Sequence, residues 1–239
     1  NTIFIYMIII FYGNSIMQSV ILEKTSKLMD TMLISVDPKS MIFGKMLAIL
    51  LSGIIQLLAW LIAIVGGVVA GVMATDSIFS EKGVSLVTFF KSFGELNLFK
   101  PVNVILAIFA LVFGIIMYSS LSAMCGAISG SREEAASNQG LFVMMLVICF
   151  YLVLFRGINT TDVATWLYIF PFTSAMVLPA GVCIGTVSTG IAALGLGIMV
   201  LCTVIFLVLA GKLYTMMSLY KGNKVGFGKA FKMLIRERG

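Results

Sequence analysis

The sequence predicts an all-α membrane protein: a helical transmembrane bundle with five spans in this chain, an amphipathic cytoplasmic helix after the first and a re-entrant outer hairpin before the last. Three observations carry that prediction. Sixty per cent of the residues are hydrophobic and 11% are charged, whereas a soluble domain carries about 25% charged residues. The apolar residues come in runs of the roughly 20 residues that cross a bilayer core of about 30 Å as a helix. The basic residues gather at the ends of those runs and in the C-terminal tail, which is where membrane topology puts them.

The spans are expected at about 2–22, 41–74, 102–129, 135–155 and 187–213, within a single transmembrane domain covering 1–239. The second run is longer than spanning requires and holds Gly53, Gly66, Gly67 and Gly71. A sixth apolar stretch, 166–185, contains Pro171 and Pro179. Proline removes a helical hydrogen bond and kinks or breaks a helix, so this stretch reads as two short helices that dip into the outer face and return. Irregular backbone at that depth must be buried in protein or line a cavity.

Charge asymmetry orients the chain. Five spans put 23–40, 130–138 and the tail 214–239 on one side. With Lys45 and Lys212 assigned to their nearest ends, that side holds Lys24, Lys27, Lys39, Lys45, Arg132, Lys212, Lys221, Lys224, Lys229, Lys232, Arg236 and Arg238. The other side holds only Lys82, Lys91, Lys100 and Arg156. The richer side is expected to be cytoplasmic. The net charge of +6 is therefore a topology signal, and no nucleic-acid partner is expected. The chain opens at Asn1 inside an apolar run with no visible signal peptide. An upstream span and an extracytoplasmic region are expected to be missing; one added span would give six, with both ends inside.

Several chemistries are excluded. There is no histidine, so zinc–histidine sites and histidine general bases are absent. Cys125, Cys149, Cys183 and Cys202 lie far apart in apolar surroundings and read as small buried hydrophobes. No HExxH, GxGD or GxSxG pattern occurs, and no ionisable residue lies deep in a span, where it would mark an ion or proton path. Asn14, Gln18 and Gln56 are the main polar groups within spans and read as helix-joining residues. Gly67/Gly71, Gly126/Gly130 and Gly181/Gly185 form GxxxG spacings that permit close helix approach, a weak signal among 23 glycines. The 16 methionines read as lipid-facing or packing residues.

The most informative segment is 23–45, EKTSKLMDTMLISVDPKSMIFGK. Leu28, Met29, Met32, Leu33 and Val36 share one helical face. Glu23, Lys24, Lys27 and Asp30 lie elsewhere on the wheel, and Pro38 ends the pattern. An amphipathic helix is expected over 23–37, with Glu23 at its positive N-terminal end. Two readings stay open: a helix resting at the lipid interface, or a lever that receives force from a cytoplasmic partner. Arg132, Glu133 and Glu134 sit in the second cytoplasmic loop, where Ser131 can cap the next helix with both acids in its first turn.

At these residues the sequence resembles the type-2 ABC exporter permeases, closest in flavour to their sodium-efflux branch. The resemblance rests on Glu23, Lys24, Leu28 to Leu33, Ser35, Pro38, Gly44 and Lys45. Further matches are SREEAASNQG at 131–140 and Phe170-Pro171-Phe172-Thr173-Ser174 before the last span. It covers nearly the whole chain. It implies a permease subunit, multi-pass in a bacterial cell membrane, paired with a second permease as a homodimer or heterodimer and driven by two cytoplasmic ABC ATPase subunits. It implies coupling residues Glu23, Lys24, Lys27, Leu28, Met29, Asp30, Met32, Leu33, Pro38, Arg132, Glu133 and Glu134. It also implies an outer gate at Pro171, Phe172 and Pro179. No GxxxxGK[ST] phosphate loop occurs. ATP and Mg are therefore expected in the partner ATPase, with no cofactor or metal in this chain and no catalytic residue. The substrate class, whether sodium, drug, peptide or lipid, is not written in the sequence. A stand-alone channel or secondary transporter and a membrane scaffold or sensor are the rival readings, and copurification with an ATPase separates them.

Overall fold

The computed structural model describes residues 2–25, 37–78, 101–159, 164–219 and 227–236. All the elements found there are helices: α1 Thr2–Thr25, α2 Pro38–Ile78, α3 Pro101–Ile128, α4 Arg132–Asn159, α5 Thr165–Ile169, α6 Pro171–Ile184, α7 Thr189–Leu219 and α8 Phe227–Arg236. Five of them, α1, α2, α3, α4 and α7, are long and apolar enough to cross a membrane. The all-helical bundle expected from composition is the architecture found.

The axis of the bundle is α3, on which α1, α6 and α7 pack most extensively. The reason is local. From Tyr118 onward α3 reads YSSLSAMCGAI, a run of small side chains, and small residues let neighbouring backbones approach. From Ser122 to Ile128 this helix is buried on every side, so it forms core all round. Gly126 is one contact point: a Cβ there would lie 2.9 Å from the Met17 carbonyl oxygen of α1.

The opposite case is α2. Little of it is buried, and Phe43, Leu47, Leu51, Ile55, Leu58 and Ile62 are all exposed along its length. They recur at nearly every fourth residue and so share one helical face, which the described bundle leaves uncovered. Its first turns do pack: Ile42 and Met46 join Ile16, Val20, Ala123, Ala127 and Tyr214. Higher up, the Tyr12 hydroxyl donates to Gln56 Oε1, and Trp60 meets Phe4 at a ring separation of 4.5 Å.

Two sequence expectations need correction. Glu23 does not open a separate helix. It lies with Lys24 in the last turn of α1, which runs on through Thr25. No glycine or proline interrupts Leu22-Glu23-Lys24-Thr25, and both charged side chains find partners inside the bundle. Pro179 does not cut the hairpin stretch either. The break falls at Phe170 (φ −68°, ψ 117°), with Pro171 opening α6 at the position where a missing N–H costs nothing. Pro179 sits inside α6. There it leaves the Ala175 carbonyl without its helical donor, yet α6 stays helical because Thr173 through Pro179 are all buried.

Candidate functional site at the junction of helix ends

Of the charged residues singled out in the sequence, Glu23, Lys24, Lys45 and Glu134 come together where α1, α2, α3, α4 and α7 meet. The Glu23 carboxylate lies 2.7 Å from the Lys45 ammonium. It also accepts a hydrogen bond from the Tyr214 hydroxyl at 3.1 Å. Lys45 donates a second bond to Ser19 Oγ at 2.9 Å. Both ion-pair partners are largely covered, with side-chain exposures of 13% for Lys45 and 18% for Glu23. One carboxylate thus ties the end of α1 to the start of α2 and to the last turns of α7. Partial burial strengthens such a pair, because less water screens it.

Lys24 serves a different end. Its ammonium donates to the Ala127 and Ser129 carbonyl oxygens at 2.7 and 3.0 Å. These carbonyls belong to the C-terminal end of α3, where a helix has acceptors without backbone partners and carries partial negative charge. A cation is the favoured group there.

The turn from α3 to α4 is closed by its own side chains. The Glu134 N–H donates to Ser131 Oγ at 3.2 Å, and Glu134 Oε2 accepts the Gly130 N–H at 2.9 Å. This is the reciprocal arrangement of a capping box, shifted by one residue on the returning bond. Ser129 Oγ donates to the Cys125 carbonyl at 2.7 Å and accepts from Asn138 Nδ2 at 2.8 Å. Arg132 and Glu133 are exposed.

Of the residues expected to meet a partner, Glu23, Lys24 and Glu134 are therefore engaged within the bundle, and Pro38 opens α2. Lys27, Leu28, Met29, Asp30, Met32 and Leu33 lie outside the described residues. Sequence reasoning missed Tyr214 as a partner of Glu23, 191 residues away. Nothing local signals that pairing. The Glu23–Lys45 pair did leave a trace: opposite charges stand at the facing ends of consecutive spans.

At the other end, α6 is pinned near both its extremities. The Tyr118 hydroxyl donates to the Phe172 carbonyl at 2.7 Å, and Asn103 Nδ2 donates to the Val182 carbonyl at 3.0 Å. Asn103 and Tyr118 are separated by about 22 Å along α3 at 1.5 Å per residue. The Phe170–Pro171 break therefore lies deep beside α3, with α6 rising from it. The Phe172 ring packs between Tyr118 and Phe206, at 5.9 and 6.0 Å. Gly185 ends α6 in the left-handed conformation (φ 81°), which glycine adopts without steric cost.

No group of three or more histidine, cysteine or acidic side chains that could hold a metal occurs among the described residues. Among the described residues, the site is a set of charges and hydrogen bonds that hold helix ends together.

The profile of the ABC-2 family transporter proteins matches residues 1–212. An uncharacterized protein of Bacillus subtilis (strain 168), YhaP, is 29% identical over 234 residues. That alignment covers 97% of this chain and 53% of the relative, so the chain spans about half the relative's length. No solved structure matches.

Proposed function

Because this chain belongs to the ABC-2 family of transporter proteins, we propose that it is the membrane-spanning permease of an ATP-binding-cassette exporter that moves substrate out of the cytoplasm. ATP is hydrolysed by separate cytoplasmic subunits, and the permease works beside a second permease. The observation that carries the coupling part of this reading is the junction at Glu23. The segment 26–36 leaves α1 and enters α2 between two helix ends that the Glu23–Lys45 ion pair holds together. A push on that segment would move α1 and α2 as a unit. Lys24 would pass the displacement to α3, and Tyr214 would pass it to α7.

This division of labour assigns transmission to Glu23 and Lys24. Contact with the ATPase falls to Lys27, Leu28, Met29, Asp30, Met32 and Leu33, with exposed Arg132 and Glu133 on the same side. The outer hairpin, with Pro171, Phe172 and Pro179, is the gate that substrate passes on release.

Met32→Asp and Asp30→Ala test the contact directly. Both variants should reach normal levels in the membrane. Each should weaken capture of a co-expressed ABC ATPase by about 30-fold or more, the effect of leaving one side of a desolvated interface pair unmatched. ATP-driven transport into inverted vesicles should fall in parallel. Normal capture and normal transport in both variants would return 26–36 to the lipid-interface reading. Transport by the purified chain with no ATPase present would favour the stand-alone channel or secondary transporter.

A further inference from the structure

The helix α8, Phe227–Arg236, is the most amphipathic of the described long helices, and nothing in the permease reading uses it. Its sequence, FGKAFKMLIR, separates two kinds of residue by register. Lys229 and Lys232 are exposed, and Arg236 falls on the same stripe, seven positions after Lys229. The apolar positions 227, 231, 234 and 235 follow the i, i+4, i+7, i+8 spacing of the opposite face.

The helix is also fixed at a particular level. Ala230 is fully buried and Met233 partly so, both in a cluster with Met124 and Ile128 of α3 and Leu213 and Met217 of α7. Those four residues belong to the last turns of two spanning helices, where the spans leave the hydrocarbon. These contacts hold α8 beside the ends of those two spans. A basic stripe beside an apolar one is the composition that lies in the headgroup plane, and the cytoplasmic leaflet is the negatively charged one.

We propose that α8 is an interfacial helix that binds anionic phospholipid headgroups of the cytoplasmic leaflet through Lys229, Lys232 and Arg236. The occupant is lipid and not a soluble anion, because the same helix carries a continuous apolar stripe. Charge complementarity supplies the selectivity, and the Ala230 and Met233 contacts supply the depth.

The test uses the full chain in lipid nanodiscs. A bimane fluorophore is attached at Gly228→Cys, with the four native cysteines replaced by alanine. Gly228 is exposed, and a Cβ there meets no atom within 4 Å. Quenching by lipids spin-labelled at the headgroup is compared between pure phosphatidylcholine discs and discs of equal parts phosphatidylcholine and phosphatidylglycerol. Quenching should be stronger in the anionic discs and should decline as salt screens the attraction. In Lys229→Gln/Lys232→Gln/Arg236→Gln the dependence on lipid should vanish, each charge accounting for about fivefold in the bound-to-free ratio. Equal, salt-insensitive quenching in both discs would overturn the proposal, as would a triple variant that keeps the full lipid dependence. Shielding of the fluorophore only when an ABC ATPase is added would also overturn it and make α8 a protein-docking surface. The two-lipid comparison needs no charge substitution, so it stands even if the triple variant fails to fold.

Discussion

Glu23 is paired with Lys45 and with Tyr214 on two other helices, and those two contributions can be separated. Hydrogen bonds to charged groups contribute about 1.5–3 kcal/mol, so Tyr214→Phe should lower stability in detergent by an amount in that range. Glu23→Gln should cost more, because it also leaves Lys45 without its counter-charge in a partly covered site. In the double variant the two losses should not add, with a coupling of about 0.5–3 kcal/mol, readable from unfolding midpoints of the four proteins. Strict additivity would mean that the hydroxyl and carboxylate do not interact. A companion measurement is Lys24→Met. It keeps the aliphatic stem but removes the charge from the Ala127 and Ser129 carbonyls, and the loss should again be about 1.5–3 kcal/mol. Sequence alone identified Glu23 and Lys24 as special but assigned them to solvent or a partner. Their actual partners are Lys45, a tyrosine and two backbone carbonyls; the last two kinds lie far along the chain and have no sequence signature.

Among the helices, glycines show where spacing motifs speak and where they do not. The pairs Gly67/Gly71, Gly126/Gly130 and Gly181/Gly185 look alike in sequence. In the fold, Gly126 seats the Met17 carbonyl and Gly181 seats the Tyr168 ring, whereas Gly67 and Gly71 face open space. The closest approach of all is at Gly195, outside any such pair, where an added Cβ would fall on the Tyr168 carbonyl oxygen. That backbone contact seats the short α5 against α7. Gly195→Ala should therefore destabilise the protein by about 1–3 kcal/mol, the usual cost of forcing atoms into a filled space. Gly67→Ala should be neutral or stabilising by up to about 1 kcal/mol, since alanine is the better helix former. A Gly67→Ala loss equal to the Gly195→Ala loss would show that another surface packs on that part of α2. The helix break was legible in outline because proline constrains backbone locally, and Pro171 does open a new helix. Pro179 was misread because a proline's penalty is local while its tolerance depends on tertiary burial. That burial comes from α3 and α7, which the local pattern does not contain.

At the scale of the molecule, class and span number were legible because the bilayer acts on composition, which is a property of the sequence itself. Packing order was not: that α3 is the axis and α2 the periphery follows from small residues on one helix and bulky aliphatic ones on the other, weighed across the whole bundle. The remaining global quantity is orientation, and it rests on one physical bias. Twelve named basic residues lie on the side of 23–40, 130–138 and 214–239, and four lie on the other. Single cysteines introduced at Ser26, Ser137 and Asn223 in a cysteine-free chain should therefore resist an impermeant thiol reagent in intact cells and react once the cells are opened. Cysteines at Ser80 and Thr160 should react from outside. Ser137 is the most stringent of these positions. It is exposed on the first turns of α4, so silence there cannot be blamed on burial in the fold. If Ser137→Cys and Asn223→Cys both reacted in intact cells, the whole chain would be inverted. The Glu23 junction would then face away from any cytoplasmic ATPase, and α8 would face away from the anionic leaflet. If Asn223→Cys alone reacted, the 164–184 region would have to cross the membrane as a sixth segment. The break at Phe170 and the pairing of Tyr118 with Phe172 oppose that outcome, because a segment pinned to α3 at mid-depth and again at Val182 already uses its length on one side.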